Sequence, residues 1–232
     1  RCLSDWSSDV CSSDLDNGVG MDDTNLPMAL KRHATSKIQE LADLDSVSTM
    51  GFRGEALAAI AAVSDLSLTS RTASQPHAMQ LQARTGEIKP MARGVGTTVE
   101  VKELFFTTPA RRKFLKATAT ELAHCLESLK RHALARPDVG FALWHDGKCV
   151  AQWRAHDHAA GFDLRLADVL GSSFVDQSLP VQLSQTGWKV RGRAGLPDAA
   201  RSRADQQFAY VNGRFVRDKV LAHAADRKST RL

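Results

Sequence analysis

The chain of 232 residues is 43% hydrophobic and 25% charged and carries a formal net charge of +5, which allows one large domain or two small ones with a real core. No apolar run approaches the roughly 18 residues that a membrane-spanning helix needs; the longest, Ala56 to Val63, is short and alanine-rich. Cys2, Cys11, Cys125 and Cys149 show no C-x-x-C spacing, which argues for reduced structural thiols over a zinc site or a disulfide framework.

Arg1 to Leu15 repeats Ser-Ser-Asp, has neither helical nor strand period, and carries Asp5, Asp9 and Asp14 where a secretory signal needs an apolar stretch. This stretch and the closing Arg227 to Leu232 resemble translated sequencing-adapter read-through, so both are expected to be non-native and are excluded from the reading of the fold. A natural disordered, serine-rich leader is the alternative. With no signal peptide the expected compartment is the cytoplasm, and the alanine- and arginine-rich composition favours a bacterial source. Setting both ends aside leaves +4 for residues 16 to 226, a balance compatible with nucleic-acid contact.

In chain order, Asp22 is suited to cap a short helix bearing Leu26 and Leu30, with Pro27 in its first turns. A polar loop, His33 to Lys37, follows. Leu57 to Val63 is expected to be helical, and Leu66 to Arg71, Ala78 to Arg84 and Thr97 to Val101 alternate apolar and polar residues as half-buried strands do. Helices and strands intermix, so the first part is an α/β sandwich with helices on one face of a sheet. Thr108-Pro109 marks a helix start. Leu122, Leu126, Leu129 and Ala133 mark a second helix ending before Pro137. The domain boundary falls at Lys116 to Thr120, dividing residues 16–117 from 118–226. Beyond it, Asp146-Gly147 joins two strands as a hairpin, and Asn212-Gly213 gives a similar turn signal.

Four short motifs carry the chemistry. In Asp16-Asn17-Gly18-Val19-Gly20-Met21 a carboxylate precedes two glycines, which suits an acceptor for a base amino group beside closely approaching backbone, although such a string is also an ordinary turn. His33 to Lys37 offers Thr35, Ser36 and Lys37 to phosphate oxygens, or else a helix-capping pair and a solvated Lys. Gly51-Phe52-Arg53-Gly54-Glu55-Ala56-Leu57 opens a helix and aims free backbone N–H groups at an anion. Gly96-Thr97 turns into a strand whose first hydroxyl could meet the base.

In order and spacing these motifs, with Phe105 to Leu115 and Tyr210 to Arg214, resemble the N-terminal region of the MutL family of DNA mismatch-repair proteins, within the GHKL ATPase superfamily. Thr107 stands where that family usually has Asn. The resemblance covers Asp16 to Asp226 and implies an α+β protein: a Bergerat-type α/β sandwich, then a truncated ribosomal-protein-like second domain. It implies that Asp16 holds the adenine amino group of ATP, Gly18 and Gly20 line the base pocket, and Thr97 completes the adenine contact. Thr35, Ser36 and Lys37 would belong to a lid, with Gly51, Phe52, Arg53, Gly54, Glu55, Ala56 and Leu57 at the phosphates. The family's general-base Glu and the Asn that binds Mg2+ lie on a helix before the Asp16 motif, so no catalytic residue is assigned and these 232 residues are expected not to hydrolyse ATP.

The implied function is an ATP-driven switch that couples mismatch recognition to downstream repair proteins, with a homodimer in the parent protein and no membrane role. Arg214, Arg217 and Lys219 are the candidate sequence-independent DNA contacts, and Arg111, Arg112, Lys113 and Lys116 form a second basic run that can equally be a solvated helix face. The alternatives are a nucleotide-independent DNA or protein adaptor and another GHKL ATPase such as a gyrase-type topoisomerase.

Overall fold

The computed structural model describes residues 11–32, 55–199 and 207–229. The chain divides into two compact units, Arg1–Leu115 and Lys116–Leu232.

The first unit is built on an antiparallel five-stranded sheet in the order β1-β5-β2-β3-β4. Its strands are β1 (Ser12–Leu15), β2 (Asp65–Arg71), β3 (Ala78–Gln82), β4 (Ile88–Met91) and β5 (Gly96–Lys102). Leu68 stands opposite Leu81 on one side and Val99 on the other, so one face of the sheet presents a continuous apolar surface. Two short helices, α1 (Asn25–Met28) and α2 (Ala56–Ala61), supply Leu26, Leu57 and Ile60 to the core around Leu66, Leu68 and Leu81. The sandwich expected from the intermixed helical and strand signals is therefore present. α1 begins where Asp22 Oδ1 accepts the backbone N–H groups of Thr24 and Asn25 and the Thr24 hydroxyl. Those bonds, the Thr24 hydroxyl first, hold the Asp22 carboxyl below the usual carboxylate range.

The structure departs from the sequence reading at four points. β2 is not half-buried, because Leu66 through Ser70 are all buried. Leu66 and Leu68 enter the core, while across the sheet Ser67 donates to Glu100 and Thr69 accepts from Gln80, which covers the polar face with side chains from the flanking strands. β4 has no counterpart in the sequence reading; its Pro90 sits opposite Met79 on an edge strand, the place in a sheet that tolerates proline. Ser12–Leu15, excluded from the sequence reading of the fold, forms an edge strand against Thr98–Val101. All four of its residues are exposed, and the ladder asks only for backbone groups. Finally, Thr108 precedes the short helix α3 (Pro109–Arg112) without capping it, and its buried hydroxyl has no hydrogen-bond partner.

In the second unit the 18-residue α4 (Thr118–Ala135) is the longest described helix. The Glu121 carboxylate, one turn in, accepts the backbone N–H of Lys116. β6 (Phe141–His145) and β7 (Lys148–Trp153) form the expected hairpin, with Asp146 at φ 48° and Gly147 at φ 73°, the two positive values that a primed two-residue turn requires. α5 (Gly161–Leu170) and α6 (Ser172–Asp176) lead into a long hairpin, β8 (Ser178–Gln185) with β9 (Trp188–Gly195), which the sequence reading missed. β10 (Ala209–Val211) and β11 (Arg214–Val216) close on Asn212 and Gly213, both at positive φ, and α7 (Lys219–Ser229) runs past Asp226 into the tail excluded from the sequence reading. The described strands of this unit form three separate hairpins.

Arg165, on α5, is wholly buried. It donates to the carbonyls of Ala133, Arg136, Pro137, Val139 and Arg154, joining the end of α4 to the loop before β6 and the residue after β7. Burial lowers its pKa, opposed by Asp168 and Asp138. A charge in that position is tolerated because both terminal nitrogens are fully committed to carbonyl oxygens.

Candidate functional site

The end of β1, the loop Asp16–Asp22 and the first residues of β5 meet at one corner of the first unit. Asp16 continues the ladder: its N–H donates to the Thr97 carbonyl at 2.9 Å. Its Oδ1 accepts two backbone N–H groups, from Gly18 at 2.8 Å and Thr97 at 3.0 Å. Among the described residues Oδ2 accepts nothing, and Asp16 is exposed. One oxygen is thus tied to the backbone, and the other is an acceptor left without a partner among the described residues.

The glycines of this corner are required sterically. Gly20 has φ +75°, and a Cβ there would collide with the carbonyl oxygen of Arg71; Gly96 has φ +121°, and a Cβ there would run into the backbone carbonyl oxygen of Asp16. Both positions combine a left-handed backbone with close chain approach, which only glycine supplies without strain. Gly18 is different: its added Cβ would lie 3.1 Å from Asp16 Oδ1, close to the carboxylate without striking backbone.

Ser70, which the sequence reading passed over, is the hub of the corner. It is fully buried on the core face of β2. Its hydroxyl accepts the Met21 N–H at 2.7 Å, donates to the Gly96 carbonyl at 3.1 Å and lies 3.1 Å from the Thr97 hydroxyl. The available signal was parity: Ser70 falls in the same alternating register as Leu66 and Leu68, where a polar residue demands a reason. Thr97 therefore serves through its backbone as well as its hydroxyl.

Thr35, Ser36, Lys37, Gly51, Phe52, Arg53 and Gly54 lie outside the described residues. Glu55 precedes α2, whose six residues begin with Ala56 and Leu57; this helix is shorter than the Leu57 to Val63 run suggested. Among the described residues no group of three His, Cys, Asp or Glu side chains is placed to hold a metal ion.

In the second unit, Arg214 and Arg217 flank Phe215 in and just after β11. The Arg217 guanidinium lies 5.9 Å from the Phe215 ring centroid, and the Arg131 guanidinium, from α4, lies 4.8 Å from it. The Tyr210 hydroxyl donates to the Arg131 carbonyl. Lys219 opens α7 and is exposed. Arg111, Arg112, Lys113 and Lys116 are exposed in and after α3, and Phe114 among them is 82% exposed.

Comparison with known proteins places this corner in context. Residues 166–231 match the family described as DNA mismatch repair protein, C-terminal domain. The chain is 56% identical over 209 residues to the DNA mismatch repair protein MutL of Ralstonia nicotianae, covering 90% of this chain and 32% of that protein. To the MutL of Herminiimonas arsenicoxydans it is 49% identical, covering 90% and 34%. It therefore spans about a third of the length of these curated relatives. Among solved structures it resembles the N-terminal domain of a DNA repair protein, with a TM-score of 0.75 at 25% identity over 95% of this chain and 69% of that one. It also resembles the Aquifex aeolicus MutL ATPase domain complexed with ADP, with a TM-score of 0.65 at 25% identity over 92% and 73%. By these matches the chain is similar, over nine-tenths of its length, to part of the MutL DNA mismatch-repair proteins.

Proposed function

We propose that this chain is the nucleotide-responsive part of a mismatch-repair switch, in which ATP binds at the Asp16 corner and changes how the protein engages DNA and its repair partners. The observation that carries the reading is the exposed Asp16 carboxylate, with Oδ1 fixed by Gly18 and Thr97 and Oδ2 taking no hydrogen bond among the described residues. A planar acceptor held in this way suits the exocyclic amino group of adenine, and Gly20 and Gly96 allow the close chain approach that builds the turn carrying it. The ADP complex of the structurally similar Aquifex domain supports a nucleotide here. Thr35, Ser36, Lys37 and the Gly51 to Leu57 segment are the proposed lid and phosphate contacts.

In this reading the 232 residues bind ATP without hydrolysing it, because the general-base Glu and the Mg2+-binding Asn implied by the family resemblance are not among them. Ordering of the lid around the phosphates favours dimerisation in the parent protein, which makes the nucleotide a switch. DNA contact is assigned to Arg214, Arg217 and Lys219.

The test is calorimetric titration of the chain with a non-hydrolysable ATP analogue, beside the Asp16→Asn variant. The amide keeps an oxygen for the two backbone donors but can place its own N–H groups where the adenine amino group must donate, so affinity is expected to fall by about tenfold or more, the range for a lost hydrogen bond to a charged group. Equal affinity in both proteins, or no binding by the unsubstituted chain, refutes the nucleotide reading and favours a nucleotide-independent adaptor.

A further inference from the structure

The Asp16 corner contains a second charged residue that no motif singled out. Arg93 lies in the loop between β4 and β5, and its guanidinium is spread over three acceptors. Nη2 donates to the Asp16 carbonyl at 2.7 Å, Nε to the Thr98 hydroxyl at 2.8 Å and Nη1 to the Gly94 carbonyl at 3.0 Å. Its own carbonyl accepts from Arg71 Nη1 at 3.3 Å. The same nitrogen that reaches Gly94 would stand 2.9 Å from a Cβ on Gly96, so the guanidinium is packed directly against the glycine that lets β5 approach Asp16.

We infer that Arg93 is the positioning residue that makes the Asp16 carboxylate selective for a six-amino purine. The inference rests on the nucleotide reading above. At Asp16 the chain leaves the sheet: its N–H makes the ladder bond to Thr97, and the next residues belong to the exposed loop leading to Gly20. The peptide group following Asp16 has no strand to hold it, and Arg93 grips its oxygen. The guanidinium is planar, and its fork binds the Asp16 carbonyl and the Thr98 side chain of β5 at once, which fixes the loop's exit in register with the strand carrying Thr97. Asp16 is exposed and its Oδ2 takes no hydrogen bond from a described residue, so the direction of that oxygen depends on how firmly the Asp16 backbone is held. Arg93 spends its donors on the protein, and its effect on a base is exerted through Asp16.

Such a role affects discrimination before it affects binding in general. Adenine offers an amino group to Asp16 Oδ2, whereas hypoxanthine presents a carbonyl oxygen at the same place and gains nothing from a well-aimed carboxylate. The experiment measures the affinities of the whole chain for ATP and inosine triphosphate, for the unsubstituted protein and for Arg93→Ala, Arg93→Lys and Asp16→Asn, with circular dichroism to confirm folding. Arg93→Ala is expected to weaken ATP by about fivefold to tenfold, the scale of a lost hydrogen bond, while leaving inosine triphosphate unchanged. Arg93→Lys, which keeps the charge but not the fork, should fall between. If Asp16→Asn erases the preference and both Arg93 variants retain it, the positioning role is wrong and the nucleotide reading stands. Equal weakening of both nucleotides in the Arg93 variants also overturns it, because that is the signature of a merely structural residue. If Asp16→Asn leaves the preference intact, or the unsubstituted chain binds neither nucleotide, the nucleotide reading fails and this inference falls with it.

Discussion

Asp16 and Thr97 are bound to each other by two hydrogen bonds: the Asp16 N–H donates to the Thr97 carbonyl, and the Thr97 N–H donates to the Asp16 carboxylate. The first bond is an ordinary ladder contact, continuing the pairing of Leu15 with Thr98. The second replaces the next ladder contact by a side chain. A carboxylate oxygen therefore occupies a place that a backbone carbonyl would take in an uninterrupted strand, and the residue that orients the acceptor is part of the sheet itself. The site and the fold cannot be separated at this point.

Substituting Gly96 tests that coupling. Its φ of +121° is rarely adopted by side-chain-bearing residues, and a Cβ would meet the backbone oxygen of Asp16, which cannot move without breaking the pairing. Gly96→Ala is expected to cost about 2 to 3 kcal/mol, combining backbone strain with displacement of the Asp16 loop. Gly94→Ala is the control, since a Cβ there would meet nothing within 4 Å, and it should change stability by less than about 0.5 kcal/mol. Urea unfolding of the two variants distinguishes them; equal stabilities would show that the corner yields at little cost.

The parts of this architecture that were legible in the sequence are those written in local chemistry. Asp146-Gly147 and Asn212-Gly213 demanded positive φ at both residues and have it; Leu122, Leu126, Leu129 and Ala133 lie on one helix, α4; Asp16 and its glycines came as a motif. What escaped depends on distant neighbours. Nothing near Arg165 in the sequence says that five carbonyls from residues 133 to 154 converge on it, and a buried Arg contradicts the usual preference of its type. The burial of Ser67 and Thr69 follows from Glu100 and Gln80 on adjacent strands. The β8–β9 hairpin turns on Thr186-Gly187, a weaker signal than Asn-Gly or Asp-Gly, with only Gly187 at positive φ. Ser12–Leu15 shows the reverse case: a stretch with no strand pattern was drafted into a ladder that needs no particular side chain.

The proposed DNA contacts make an electrostatic prediction. Each phosphate neutralised by a cation releases counterions, so binding to duplex DNA should weaken steeply as salt is raised, with a slope in log–log form of about −0.9 per phosphate contact. Replacing Arg214, Arg217 and Lys219 together by Gln should weaken binding at low salt without altering sequence preference, and should flatten that slope by about 2 to 3 units. Replacing Arg111, Arg112 and Lys113 in the same way is the internal comparison, because that run can be a solvated helix face. An unchanged slope in the first variant, read by fluorescence anisotropy across a salt series, removes those three residues from the interface.

Tyr210 gives a prediction that can be read without any ligand, since it is the single tyrosine of the chain. Its hydroxyl donates to the Arg131 carbonyl, and its ring makes a T-shaped contact with that of Phe215. Burial pushes its pKa up from 10.0 to about 12, with the Arg131 charge acting weakly in the opposite direction. An unfolded phenol releases its proton near pH 10, so between about pH 10 and 12 the folded chain holds a proton that the unfolded chain has lost. Stability associated with this group is therefore complete below pH 10 and declines as pH rises through the folded value. The near-ultraviolet absorbance of tyrosinate, followed in an alkaline titration, should show one transition centred well above that of a tyrosine peptide. Arg131→Met should leave it there or raise it slightly, because the donor contact is to the residue's backbone carbonyl while the charge that favours tyrosinate is gone. A midpoint near 10 in the folded protein would mean that the contact between β10 and α4 is open in solution.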